Sequence, residues 1–294
     1  MEPGLRLVLV ARDSQDVFEA LTQRLSGLAA IPAEPSIGLF ALDGESLTRH
    51  EILIAGIEKD ALRDGLSRCD DLLAAYAIRP VKMPGTRMVV FDTDSTFINE
   101  EVIDEIAGFA GYKEQVAAIT ERAMRGELDF NAALAERVKL LAGLPASTLE
   151  RVRTEKLTLT QGAKDLTASL HAGGKKTFLL SGGFSYFTKY FRESLGMTND
   201  FANELEIRDG KLTGKTIGPI VNRQRKAELL LSLAAEHGID AGETVAVGDG
   251  ANDADMCRAS GLGIAFCAKP ALLRETDAAI FLRDLRLVMA LIPS

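Results

Sequence analysis

Short, unbroken apolar runs recur along the chain, and three of them end abruptly in carboxylate, hydroxyl or glycine. Met88-Val-Val-Phe91 runs into Asp92-Thr-Asp-Ser-Thr96, Phe178-Leu-Leu180 into Ser181-Gly-Gly183, and Thr244-Val-Ala-Val247 into Gly248-Asp-Gly-Ala-Asn-Asp253. Runs of this kind fit strands covered on both faces, as in parallel sheets, where ligands collect at the carboxyl ends. Residues with helical spacing intervene, for example Ala227 to Ala235. From Arg87 onward, strands therefore alternate with helices, which predicts an α/β fold with a doubly wound parallel sheet.

Two segments interrupt that alternation. Val102, Ile106 and Phe109 repeat at helical spacing, as do Phe130, Leu134, Val138 and Leu141. Gly143 and Pro145 follow, and Ser147-x-x-Glu150 reads as the next capping box. These features predict a small helical insertion at about residues 99–160. Glu204 to Lys215 alternates around Asp209-Gly210, which predicts a β-hairpin at about 201–220.

Upstream of Met83-Pro-Gly85 the pattern differs. Leu5–Ala11, Ile37–Leu42, Glu51–Ile57 and Ile78–Met83 read as strands, with helices over Asp16–Leu25 and Ala61–Tyr76. This βαββαβ order predicts a ferredoxin-like sandwich. With 294 residues, two domains are expected, residues 1–84 and 85–294.

Acidic residues number 42 against 34 basic ones, which argues against a general nucleic-acid or membrane-surface binder. No apolar run reaches transmembrane length, and Met1-Glu-Pro-Gly lacks the basic start of a leader, so a cytoplasmic protein is expected. Cys69, Cys257 and Cys267 show no Cys-x-x-Cys spacing, so neither disulfides nor structural zinc are expected. His50, His171 and His237 are scattered, and the last two read as helix-terminal residues. Gly210-Lys-Leu-Thr-Gly-Lys-Thr216 approaches a nucleotide-binding loop, but its glycines stand one residue too close and it lies in the hairpin segment.

An Asp-x-Asp pair alone is as consistent with a capped turn as with a site. The second acidic strand end, at Asp249, changes the balance, because two such ends in one parallel sheet converge on a hard cation such as Mg²⁺. Ser181 and the glycines after it suit a phosphate, approached by a hydroxyl and backbone N–H groups. Lys226, near a helix start, opposes the helix dipole and calls for a nearby anion.

Asp92-Thr-Asp-Ser-Thr96, Ser181-Gly-Gly183, Lys226 and Gly248-Asp-Gly-Ala-Asn-Asp253 together resemble the four motifs of the haloacid dehalogenase superfamily, over roughly Pro84 to Ser294. Within it, the similarity is to the branch that hydrolyses O-phosphoserine. The resemblance implies Asp92 as nucleophile and Asp94 as general acid/base. It implies Mg²⁺ on Asp92, the main-chain carbonyl of Asp94, and Asp249, with Asp253 in support. Phosphate would be held by Ser181, Gly182, Lys226 and Asn252, and substrate by Glu101, Arg137, Met124, Phe130 and Gly183. Core packing competes as a reading of Met124 and Phe130. Thr93 and Phe97 depart from the larger apolar and the aliphatic residue usual at those positions.

The first domain resembles small amino-acid-binding, ACT-like regulatory domains, which raises an amino-acid effector and a homodimer as expectations beside a purely structural role. Another small phosphomonoester, such as phosphothreonine or phosphohomoserine, is the alternative substrate, and a phosphomutase would retain Asp94. A catalytically silent amino-acid sensor is the non-enzyme rival, and intact Asp92, Asp94, Lys226 and Asp249 weigh against it.

Overall fold

A computed structural model describes residues 4–12, 20, 21, 23, 36–42, 45–54 and 58–293. Its strands are β1 (Leu5–Arg12), β2 (Ser36–Leu42), β3 (Glu45–Ile54), β4 (Leu73–Pro80), β5 (Met88–Phe91), β6 (Lys176–Phe184), β7 (Asn199–Arg208), β8 (Lys211–Ile217), β9 (Thr244–Gly248), β10 (Leu262–Phe266) and β11 (Ala278–Ile280). They form one sheet in the order β2-β3-β1-β4-β11-β10-β9-β5-β6-β7-β8.

The first four strands are antiparallel in the order β2-β3-β1-β4, as a ferredoxin-like arrangement requires. Of the helix expected over Asp16–Leu25, only Ala20, Leu21 and Gln23 are described, and these are helical. The second helix is shorter than its apolar spacing predicts. It spans Lys59–Leu66, a turn closes with Leu73 N–H donating to Cys69 O at 2.8 Å, and Leu73–Tyr76 begin β4. Periodicity could not separate these states, because every residue from Leu73 to Arg79 is buried and two-sided burial erases the alternation that marks a strand. Strand β3 likewise begins at Glu45, ahead of the expected Glu51.

The antiparallel unit does not stand apart from the parallel one. Strand β4 pairs antiparallel with β11 (Ala77↔Ala278, Tyr76↔Ala279, Ala75↔Ile280), which closes the gap between the two halves. Alternation along β5 feeds two cores: Val89 and Phe91 face one side of the sheet, Met88 and Val90 the other.

From β11 to β7 the strands run parallel, with β8 antiparallel at the edge. Strand β5 lies between β9 and β6, and Phe91 aligns with Val247 on one side and Leu179 on the other. That register brings Asp92, Ser181 and Gly248 to one edge of the sheet.

Four helices form the insertion above that edge, at Val102–Ala110, Lys113–Met124, Phe130–Lys139 and Ser147–Glu155. Its two linkers are stitched by the Ile98↔Leu159 bridge and by Thr160 N–H to Phe97 O at 3.0 Å. Its far side is tied to the β7–β8 hairpin, which turns through Asp209 and Gly210, both at positive φ. Gly143 N–H donates to Leu212 O, Leu212 N–H to Leu144 O and Ala146 N–H to Gly210 O, each at 2.8 Å. The expected capping box at Ser147 is not formed. Ser147 lies inside the helix, and Glu150 instead pairs with Arg153 and accepts from Tyr186 Oη at 2.8 Å. Among the described residues no helix is long and apolar enough to cross a membrane.

Candidate active site

Asp92 is the first residue beyond β5, and its N–H continues the ladder to Val247 O at 2.8 Å. The side chain is almost wholly buried. Its Oδ1 accepts from Thr93 N–H at 2.7 Å and lies 2.7 Å from Lys226 Nζ, while Oδ2 accepts from Asn252 Nδ2 at 3.3 Å. The chain then makes one wide turn over Thr93–Phe97, closed by Ile98 N–H to Thr93 O at 3.0 Å, with Ser95 in the left-handed region at φ 57°. This turn places Asp94 beside Asp92.

Asp94 Oδ1 is buried with no hydrogen-bond partner. Burial pushes its pKa well above the carboxylate range, the charges of Glu101 and Asp92 add to the rise, and Lys226 and the Val102 amide oppose it. The carboxyl can approach because residue 183 is glycine: a Cβ there would lie 2.8 Å from Asp94 Oδ2 and 3.1 Å from Ser181 Oγ.

Lys226 belongs to the Arg223–Glu236 helix, capped by Asn222, whose side chain accepts from Arg225 N–H at 3.0 Å. The lysine is fully buried and sits 2.7 Å from both Asp92 Oδ1 and Asp253 Oδ1. Burial alone would lower its pKa, but Asp253 and Asp92 outweigh that and hold it above the usual lysine range. Asp253 receives only donors: Lys226 on Oδ1, and the N–H groups of Asp249 and Gly250 on Oδ2 at 3.2 and 3.1 Å. Burial and Asp92 push its pKa up and Lys226 pulls it down. Its hydrogen-bond partners are all donors, which favours the ionised form against that push. A Cβ on Gly248 would lie 2.4 Å from Asp253 Cγ, so only glycine lets this carboxylate tuck under β9.

Asp92, Asp249 and Asp253 each present an oxygen within 4.8 Å of the others. Burial, then Asp92 and Glu101, push Asp249 up to about 7. Asp92 and Asp253 share the Lys226 ammonium while the Asp249 carboxylate stands within reach of both, and an all-oxygen donor set of this kind fits a hard divalent cation. The lone pairs of Asp253 are largely taken by donors, which leaves Asp92 and Asp249 as the available oxygens.

Beside them, Ser181 is fully buried, and its Oγ accepts from Gly183 N–H at 2.9 Å. Phe130, from the helical insertion, lies over Gly182, where a Cβ would stand 3.1 Å from Cζ of the ring. Phe130 also packs against the core, as its core reading expects. Glu101 precedes the first insertion helix and accepts from Ser95 Oγ at 2.8 Å. Arg137 is half-buried, bonds Ala133 O through Nε at 3.2 Å, and makes no ion pair with a described residue. Burial lowers its pKa, while Asp104, Glu101 and Asp94 act against that, so the guanidinium looks onto the acidic side of the site. The Met124 side chain lies outside the described residues.

Some contributors carried no recognisable motif. Asn203 on β7 is fully buried and bonds Gly182 O and Val221 N–H, each at 2.8 Å. Its strand, Asn199–Arg208, also carries Asn199, Asp200, Glu204 and Glu206, so nothing in the local sequence sets Asn203 apart. Arg283 donates to Ser95 O at 3.0 Å and to Asn99 Oδ1 at 2.8 Å, bracing the turn after Asp94. Nothing near Arg283 in the chain points to this.

Comparison with known proteins agrees with this geometry. The chain is 50% identical over 194 residues to a phosphoserine phosphatase of Archaeoglobus fulgidus, an alignment covering 66% of this chain and 56% of the relative. The chain thus spans little more than half the length of that relative. A solved haloacid dehalogenase-family hydrolase from Salmonella enterica serovar Typhi superposes with a TM-score of 0.84 at 31% identity, covering 98% of both chains. A substrate-bound phosphoserine phosphatase structure superposes with a TM-score of 0.67 at 42% identity, covering 71% of this chain and 99% of that one. The sequence profile of the haloacid dehalogenase-like hydrolases matches residues 89–258, from β5 to the helix after Asp253. With that match over more than half its length, the chain belongs to the haloacid dehalogenase-like hydrolase family.

Proposed function

We propose that this chain hydrolyses O-phosphoserine to serine and inorganic phosphate, the last step of serine biosynthesis, through an aspartyl-phosphate on Asp92. The observation that carries this reading is the pairing at the tip of β5: an Asp92 carboxylate oriented by Lys226 and Thr93 N–H, beside an Asp94 carboxyl whose buried Oδ1 has no partner. The two environments separate the two roles. Asp92, held by donors, is a nucleophile; Asp94, driven toward its protonated form, is an acid.

In the first displacement Asp92 attacks phosphorus while Asp94 gives its proton to the leaving serine oxygen. In the second, the ionised Asp94 takes a proton from the water that attacks the aspartyl-phosphate, which regenerates both residues. Ser181 Oγ, Gly182 N–H and Lys226 supply donors and positive charge to the phosphoryl oxygens, and Asn252 lies alongside Asp92. Asp92, Asp249 and the Asp94 main-chain carbonyl would hold Mg²⁺, with Asp253 positioning them. When bound, that ion neutralises phosphate charge and lowers the repulsion between dianion and nucleophile.

Glu101 and Arg137 are assigned to the substrate ammonium and carboxylate. Arg137 suits the second role because it is a half-buried cation without a described ion-pair partner. Phe130 above Gly182, with Met124, would exclude water, and Gly183, close against Asp94 and Ser181, would complete the substrate site. Residues 1–84 are assigned as a regulatory or dimerising unit and residues 85–294 as the phosphatase. A cytoplasmic setting is supported by three free cysteines.

Phosphate release from a panel of phospho-amino acids and sugar phosphates, with and without Mg²⁺, tests the reading. It expects phosphoserine to be the best substrate and release to require the metal. Equal rates across the panel would replace it with that of a general small-phosphomonoester hydrolase.

A further inference from the structure

Strands β6 and β7 pair in register through Leu180↔Phe201 and resume at Phe184↔Asn203. Between these pairs, Ser181-Gly-Gly183 bulges out of the ladder against Ala202 alone. A bulge leaves backbone groups without a strand partner, and here one belongs to the phosphate-binding station. Asn203 fills the vacancy: its Nδ2 donates to Gly182 O at 2.8 Å, and its Oδ1 accepts Val221 N–H at 2.8 Å. Its partners fix the orientation of the carboxamide, since a carbonyl can only accept and a backbone amide can only donate.

The Gly182 carbonyl belongs to the peptide unit whose other end is Gly183 N–H, and that N–H donates to Ser181 Oγ at 2.9 Å. With its acceptor side occupied, the Ser181 hydroxyl directs its proton away from Gly183. A chain of hydrogen bonds thus runs from Asn203 through the Gly182–Gly183 peptide to Ser181, and such chains polarise cooperatively. The opposite end of the carboxamide holds Val221, the neighbour of Asn222, which caps the helix carrying Lys226.

We propose that Asn203 is a positioning residue for catalysis, setting the direction of the Ser181 hydroxyl and the separation of the Ser181–Gly183 turn from Lys226. This rests on the phosphomonoester reading of the site. Because the phosphate stations serve every substrate, loss of Asn203 affects phosphoserine and a small aryl phosphate alike.

The test compares the full chain with Asn203→Ala and Asn203→Asp, measuring kcat and KM on both substrates, inhibition by inorganic phosphate, and thermal unfolding. Mispositioning a reacting group by about 1 Å costs roughly 100-fold. The expected result is therefore a fall in kcat/KM of roughly 10- to 100-fold on both substrates, with inorganic phosphate inhibiting more weakly. Asn203→Asp keeps the acceptor for Val221 but can donate to Gly182 O only when protonated. Its activity relative to the parent is expected to rise as pH falls from 8 to 5.5, an effect that loosened packing would not produce. Parent-like kinetics and phosphate inhibition in folded Asn203→Ala would overturn the inference. If Asn203→Ala does not fold, a flat relative pH profile in Asn203→Asp overturns it. A parent that cleaves the aryl phosphate but not phosphoserine removes the substrate reading and leaves this inference testable on the aryl ester.

Discussion

Replacing Lys226 with methionine removes the ammonium that lies 2.7 Å from both Asp92 and Asp253, in a place where the three side chains are 1%, 5% and 0% exposed. Methionine fills comparable volume, so the perturbation is chiefly electrostatic. Two buried carboxylates lose a partner that water cannot replace, and breaking a buried ion pair from one side costs about 3–5 kcal/mol. That lowers the ratio of folded to unfolded chains by roughly 100- to 5,000-fold, a large share of a typical domain's stability. The sign of the pH dependence follows. Without Lys226 the folded-state pKa of Asp253 rises further above its value of about 3.9 in the unfolded chain. As pH rises from about 4 toward the folded-state value, the unfolded chain gives up its proton and the folded one does not, so the variant loses stability through that window. Urea unfolding of parent and variant at pH 5 and pH 8, with chelator present so that no divalent cation substitutes, reads this directly. The deficit of the variant is expected to be larger at pH 8. A deficit below about 1 kcal/mol at pH 8, or one that grows on acidification, would refute the claim that Lys226 neutralises a buried carboxylate pair.

Asp94→Asn removes the proton that a serine alkoxide needs but leaves Asp92 in place. It should abolish phosphoserine turnover while retaining a burst of nitrophenol from an activated aryl phosphate, and full phosphoserine activity would remove Asp94 from the acid role. Arg137→Ala should cost about 2–4 kcal/mol in kcat/KM on phosphoserine, as for truncation of one partner of a buried charge pair, and much less on an aryl phosphate lacking a carboxylate. Equal losses on both substrates would instead make Arg137 a support of the helical insertion. Gly183→Ala places a Cβ 2.8 Å from Asp94 Oδ2, so turnover should fall with little change in thermal stability. An active Gly183→Ala enzyme would show that Asp94 works from a different position.

The strand ends that carry hydroxyl, glycine and carboxylate were legible because each is local. An apolar strand ending at Asp92, Ser181 or Gly248 states its own burial and its own chemistry, and a parallel sheet delivers strand ends to one edge. The hairpin around Asp209-Gly210 was legible for the same reason, since two consecutive residues at positive φ define that turn. Longer-range choices were not. Leu73–Tyr76 continues the helical spacing of the segment before it, yet pairs with β1 and β11, because an unpartnered gap between two sheets offers more hydrogen bonding than two further turns of an isolated helix. Ser147 and Glu150 carry a capping pattern, but Glu150 has Arg153 and Tyr186 within reach.

What the chain determined by itself was therefore chemistry and local geometry: which side chains could attack, donate a proton or bind phosphate, and on which strand ends they stand. What only the tertiary structure decided was who faces whom. The β4–β11 pairing joins segments some 200 residues apart into one sheet. Lys226 stands between Asp92 and Asp253, Arg283 braces the turn after Asp94, and Asn203 completes a bulge two strands away from the nucleophile. The physical reason is the same in each case. A buried polar group must find a partner wherever the fold puts one, and that partner is set by packing across the whole sheet, which no short stretch of sequence encodes.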